Sequence, residues 1–158
     1  MNITIEWVLR YNVKKILLIT ILLGVLIVGS SIIFYGPNNF KKIRVSGMTI
    51  VVELADTFPR QMKGLMFREN LPDNMGMLFI FDNDDFHSVW MMNMMISLDV
   101  IWLDSETKVV DIARNIQPCQ GYCSEHKPSE KSRYFLEINS GFADKYGIKI
   151  GDQVQIID

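Results

Sequence analysis

From Ile16 to Tyr35 the chain carries no charged residue. The stretch reads ILLITILLGVLIVGSSIIFY. At a rise of about 1.5 Å per helical residue it covers about 30 Å, the thickness of a bilayer's hydrocarbon core. An apolar run this long leaves no polar face for a helix on the surface of a soluble domain. Tyr35 ends the run where an interfacial aromatic belongs, and Gly36-Pro37 stops a helix there. Arg10, Lys14 and Lys15 precede the run, and Lys41, Lys42 and Arg44 follow it at a greater distance. The cations that abut the run set its orientation. The expected organisation is a cytoplasmic N-terminal tail at 1–15, a transmembrane signal anchor at 16–35, a linker at 36–42 and an extracytoplasmic domain at 43–158. That places the protein in the cell membrane as a single-pass chain, with the lipid bilayer as the partner of Ile16–Tyr35. The alternative is a secreted protein, cleaved near the small residues Gly29-Ser30-Ser31.

Beyond the linker there is enough chain for one hydrophobic core. Hydrophobic residues make up 49% of the sequence and charged ones 22%, which excludes a disordered or low-complexity polymer. The net charge of −2 offers no basic stripe, so nucleic acid is not an expected partner. Two cysteines are too few for a disulfide scaffold or a four-thiolate zinc site.

The pattern of this region is mainly β. Ile43–Leu54 is rich in strand formers and is divided by Ser46-Gly47 into a hairpin. Thr57 and Pro59 mark the start of a short helix that would run to Phe67. Strands are expected over Met77–Phe81, Phe86–Met92, Leu98–Leu103, Lys108–Ala113, Tyr134–Ile138 and Gln153–Ile157. Asp82–Asp85 reads as an acidic turn, 116–131 as a long polar loop and Phe142–Tyr146 as a second short helix. The expected fold is a small single-domain β-sandwich or barrel with one or two short helices, preceded by one transmembrane helix.

Five blocks in order resemble a known family. They are Ala55-Asp56-Thr57 with Arg60 and Gly64-Leu65-Met66-Phe67-Arg68; Gly76-Met77-Leu78-Phe79-Ile80-Phe81; His87-Ser88-Val89-Trp90-Met91 with Asn93; Leu98-Asp99; and Tyr134-Phe135-Leu136-Glu137 with Gly151-Asp152. From about residue 43 to the C-terminus the chain resembles domain-of-unknown-function family 192. The resemblance implies a compact β-rich fold, often behind a signal peptide or membrane anchor, and no established activity. Where that family usually has a Lys and a Thr flanking the Asn, this chain has Met92 and Met94.

Polar and aromatic residues set among apolar stretches are the candidates for chemistry. Arg68, His87, Trp90, Asn93, Asp99 and Glu137 would line a concave ligand-binding face. A buried charge needs a partner, so Arg68 is expected to pair with Asp99 or Glu137 if these residues are structural. Strand alternation would put Trp90, Met92 and Met94 on one face and Met91, Asn93 and Met95 on the other. Thioethers suit Cu(I). A weaker, metal-binding reading therefore gathers Met91, Met92, Met94, Met95, Cys119, Cys123 and His126, with copper as the cofactor. The bland reading of the same methionines is core packing. Outside the cytoplasm Cys119 and Cys123 would form a local disulfide.

Three functions follow from these residues. The first is a non-enzymatic membrane-anchored module, with no cofactor, that binds a small ligand or protein partner. The second is a soft-metal or redox protein. The third is a hydrolase using Asp99 and Glu137 as paired carboxylates. Asp82-Asn83-Asp84-Asp85 lacks the spacing of a calcium loop.

Overall fold

The structure, a computed structural model, describes residues 15–22 and 39–157. The chain divides into two units, Met1–Asn38 and Asn39–Asp158. In the first, residues 15–22 are helical and their apolar side chains are exposed. The remainder of the expected anchor, most of the tail and residues 36–38 of the linker lie outside the described residues. Among the described residues no helix is long and apolar enough to cross a membrane.

The second unit is mainly β. Its elements are β1 (Phe40–Val45), β2 (Met48–Ala55), α1 (Phe58–Lys63), β3 (Met75–Asp85), β4 (Leu98–Leu103), β5 (Val109–Ile116), β6 (Ser132–Asn139), α2 (Phe142–Lys145) and β7 (Gln155–Ile157). Where the sequence leaves sandwich and barrel open, all seven strands form a single sheet in the order β5-β4-β6-β3-β2-β1-β7. The β1–β2 hairpin turns at Ser46-Gly47, both at positive φ (47° and 79°), which is the two-residue turn whose twist matches the strands. The two outer strands meet at one end. Lys108 bridges Gln153, and Val109 N–H donates to the Asp152 carbonyl at 2.8 Å.

The pairing of β2 with β3 is parallel, whereas the other pairs are antiparallel. A parallel neighbour cannot be reached by a tight turn and needs a long crossover. Residues 56–74 provide it, and they carry α1 and the 64–68 segment onto one face of the sheet. Leu65 and Leu71 of this crossover pack there with Met77, Phe79, Val100, Trp102 and Phe135. Val89, Met91 and Met94, from the connection between β3 and β4, complete that layer. The opposite face holds a separate core of Ile43, Ile50, Leu78, Ile101, Leu136 and Ile138, closed by Phe142, Ile148 and Val154.

Four local expectations change. The first helix ends at Lys63 instead of Phe67, because Gly64 (φ 49°, ψ −137°) and Phe67 (φ 62°) leave helical space. Asp82–Asp85 continue β3 as strand. Arg133 on β6 pairs with Asp84 at 3.0 Å and also donates to the Asp82 and Phe81 carbonyls, so the acidic stretch has a partner strand. Phe86–Met92 is not a strand and makes only single bridges, Val89 to His126 and Met92 to Cys119. The expected alternation along 90–95 fails for the same reason. Asn93 sits at φ 59° and turns the chain, so Met91 and Met94 are buried while Trp90, Asn93 and Met95 face out.

Candidate functional site

The face covered by the crossover carries a row of side chains fixed by register. Glu53 of β2 is opposite Met77 of β3, Met77 is opposite Glu137 of β6, and Glu137 is opposite Val100 of β4. Residues directly opposite share a face. Two carboxylates therefore stand one strand apart on an otherwise apolar surface. Both are buried, Glu53 at 7% exposure and Glu137 at 5%.

Arg68 reaches Glu53 with both guanidinium nitrogens, at 2.5 and 2.8 Å. This is the planar two-point pairing that suits a buried carboxylate. Donating to Glu53 holds the titration of the Arg68 guanidinium above its ordinary range against the opposing effect of burial. The expected partners of Arg68 thus give way to Glu53, a residue the sequence reading did not single out. Its signal was a lone charge inside the apolar strand MTIVVELA. Glu137 feels Arg68 only through space. Burial pushes its carboxyl up to about 8, with Arg68 pulling in the other direction. Its Oε2 makes no hydrogen bond among the described residues. A buried polar atom left unpaired is uncommon and calls for an explanation.

That oxygen lies at a cavity of about 70 Å³ between α1, the 64–66 segment and the 88–94 loop. Phe79 and Phe135, stacked at 4.2 Å between centroids, form its floor beside Glu137. Gln61 and Ser88 add polar lining, and Met62, Met66, Trp90 and Met94 add apolar walls. Gly64 keeps the space open. A Cβ there would stand 3.2 Å from the Phe79 ring and 3.9 Å from Glu137 Oε2.

Three loops tie together as the roof. Phe67 N–H donates to the Asn93 carbonyl at 3.0 Å, and Asn93 Nδ2 approaches Met66 Sδ at 3.9 Å. Cys119 N–H donates to the Met91 carbonyl at 3.1 Å, while Val89 and His126 exchange backbone bonds at 2.7 and 2.9 Å. Cys119 and Cys123 are joined as a disulfide. Trp90, 40% exposed, stands between this cavity and a wider hollow of about 550 Å³ formed with Met92, the disulfide and Tyr122.

The remaining candidates separate from this site or support it. Asp99 is fully buried and spends both oxygens on backbone, accepting from Asn115 N–H at 2.8 Å and Ala143 N–H at 2.9 Å. It is opposite Ile138 and so faces the other core, on the far side of the sheet from Glu137. Two carboxylates on opposite faces cannot flank one bond, which removes the paired arrangement expected for hydrolysis. His87 stacks on Phe81 at 3.7 Å between centroids, its Nε2 is 3.0 Å from the Asn83 carbonyl, and its own carbonyl accepts from the Trp102 indole. It supports the core beside the site. Of the candidate metal ligands, Met91 and Met94 pack in the core layer, and the two cysteine sulfurs are bonded to each other. Among the described residues no cluster of three or more His, Cys, Asp or Glu side chains could hold a metal ion.

The crossover, the 88–94 loop and the Glu137 strand bring parts of several of the sequence blocks to one cavity, and a family profile described as "Uncharacterized ACR" matches residues 41–156. The chain belongs to domain-of-unknown-function family 192. Two archaeal members are similar to it. A UPF0127 protein of Thermococcus sibiricus is 34% identical over 105 residues, 65% of this chain and 64% of its own length. A UPF0127 protein of Pyrococcus abyssi is 30% identical over 125 residues, 76% of this chain and 95% of its own. The chain therefore spans less than two thirds of the Thermococcus relative. A crystal structure of a protein of unknown function from Novosphingobium aromaticivorans aligns with TM-score 0.69 and 35% identity, covering 76% of this chain and 87% of that one. The family-192 fold in this chain is thus a seven-stranded sheet with few short helices, and the family's own description assigns it no activity.

Proposed function

We propose that this family-192 chain is a single-span, membrane-anchored module that holds its β domain outside the cytoplasmic membrane and binds a small ligand in the cavity over Glu137. One observation carries the binding half of this reading: a buried carboxyl oxygen with no hydrogen-bond partner among the described residues, beside a cavity that Gly64 leaves open. Stability alone favours an apolar residue or a paired carboxylate at that position. Arg68, Trp90, Asn93 and Glu137 remain in the proposed site, joined by Glu53, Gln61 and Ser88. His87 and Asp99 serve the scaffold that holds it. The anchoring half is supported by the uncharged run Ile16–Tyr35, by the cations abutting its N-terminal side and by the Cys119–Cys123 disulfide, a bond that persists in oxidising compartments.

Each half has its own test. A phosphatase reporter that needs oxidised cysteines, fused after Asp158, is expected to be active in cells, and an inactive fusion with an active cytoplasmic reporter at the same site overturns the orientation. For the cavity, the full chain in nanodiscs is screened by NMR of its tryptophan indoles against a panel of small amines, acids, alcohols and sugars. At least one class is expected to shift the Trp90 signal, and Ser88→Leu, which fills the cavity, is expected to abolish the shift. A panel that leaves Trp90 unmoved overturns the binding reading.

A further inference from the structure

The polar groups at the cavity are unequal in sign. Glu137 presents an unpartnered oxygen, and Gln61, whose amide N–H already donates to the Ile80 carbonyl at 2.6 Å, has its carbonyl oxygen as further acceptor capacity. Ser88 contributes a hydroxyl to the lining. The one guanidinium nearby, Arg68, gives both of its forks to Glu53. With both carboxylates ionised, the buried trio Glu53, Glu137 and Arg68 carries one net negative charge in a place where a lone charge is costly, and Lys63, an exposed residue of α1, also lines the cavity. The walls are aromatic and thioether, surfaces that accept a cation over a ring and an alkyl chain alongside. The cavity is small and the exposed Met62 and Trp90 are among its walls, so a compact head fits within it and a chain runs outward along them.

We infer that the cavity over Glu137 takes the protonated amino group of a primary alkylamine, with the Glu137 carboxylate as its counter-ion and Trp90 against its methylene chain. An ammonium group has three donors and no acceptor, which matches the unpartnered Glu137 oxygen and the Gln61 carbonyl. A carboxylate ligand would meet the like charge of the Glu137 carboxylate. The inference rests on the ligand-binding reading above and names the class of ligand for that site.

Binding carries a proton balance. Burial keeps Glu137 protonated up to about pH 8, while a primary amine remains charged across that range. The carboxyl therefore gives its proton to solvent as the ammonium enters, and one ion pair replaces one O–H bond. The charged groups facing Glu137 are Arg68 and, through it, Glu53. Lys63 of α1 lines the same cavity, and the facing residues on β3 and β4 are the uncharged Met77 and Val100.

The test uses the full chain in zwitterionic nanodiscs with three probes of equal length: butylammonium, 1-butanol and butyrate. At pH 9 butylammonium is expected to bind at least tenfold more tightly than either of the others, read from the Trp90 indole signal. Its affinity is expected to fall about tenfold for each pH unit below 8. Glu137→Gln keeps the shape of the side chain and is expected to lose at least tenfold for butylammonium and to abolish the pH dependence. Equal affinity for the three probes, preference for butyrate, or unchanged butylammonium binding by Glu137→Gln overturns the amine assignment and leaves the cavity a ligand site of another class. Silence from all three probes and from the wider panel overturns both.

Discussion

Replacing Glu137 by Gln isolates the consequence of burying a carboxyl without a partner. In the unfolded chain the group titrates near 4.5, whereas in the folded domain burial raises it to about 8 against the pull of Arg68. Between those values the native state keeps a proton that the unfolded state has released. Stability is therefore greatest below pH 4.5, declines as pH rises through the window and is flat again above pH 8. Each unit of separation is worth about 1.4 kcal/mol, so the loss from this one group reaches at most about 5 kcal/mol. Gln has the same shape and no charge to suppress. Subtracting its urea-unfolding free energies from those of the parent, at half-unit steps from pH 4 to 9, cancels every other titration in the domain. Trp102, buried beside Phe135, provides the fluorescence signal, and the full chain is kept in one detergent throughout. The difference is expected to be small at pH 4 and to grow in favour of Gln up to pH 8. A difference that stays constant with pH would mean that Glu137 titrates alike in folded and unfolded chains, and the account of an isolated buried carboxyl would be refuted.

Other outcomes follow from the same geometry. Arg68→Ala strands the buried Glu53 carboxylate and should cost about 3 kcal/mol in chemical denaturation; adding Glu53→Gln should recover a large part of it, and strict additivity would contradict the pairing. Asp99→Ala orphans the Asn115 and Ala143 N–H groups and should cost about 2–3 kcal/mol, with faster hydrogen exchange at those two amides as the direct check. At Gly76 a Cβ would come within 2.7 Å of the Glu137 carbonyl and 2.9 Å of Ile138, so Gly76→Ala should destabilise by about 1–3 kcal/mol, seen as a lower denaturation midpoint. Reducing the Cys119–Cys123 bond removes a very short loop constraint worth about 2 kcal/mol on loop-closure arguments, and its larger effect should be a shift of the Trp90 and Met91 backbone signals.

Much of the sheet is legible in the sequence because each strand repeats its own signal. Leu98–Leu103 is buried on both faces and apolar except for Asp99, and its expected limits and observed limits coincide. The Ser46-Gly47 turn is written in residues that tolerate positive φ. The segments that failed are those governed by distant partners. Asp82–Asp85 reads as a turn by composition, and only Arg133, far along the chain, makes it strand. Phe86–Met92 has strand composition, yet its backbone is claimed by Cys119 and His126 and the chain turns at Asn93.

The site shows the same division. Arg68 and Glu137 stand out as charges among apolar neighbours, and Trp90 and Asn93 lie in a dense motif, so residue type alone points to them. Glu53 was missed because pairing with Arg68 depends on a parallel crossover that no local pattern announces. Asp99 was grouped with Glu137 for its chemistry, but register sends the two to opposite faces. The Met91–Met95 run resembled a cluster of soft ligands, and a single left-handed residue, Asn93, divides it between core and surface.

The outermost strand β5 has a further consequence for how the sheet meets other chains. Val109 N–H donates to the Asp152 carbonyl and Ile112 N–H to the carboxylate of Asp111, whereas Asn115 N–H donates inward to Asp99 of β4. An open strand border is a template on which a neighbouring chain can add its own strand. Here the carboxylate of Asp111 and the bridge near β7 already occupy two such donors, which leaves a neighbouring sheet less of that border to pair with.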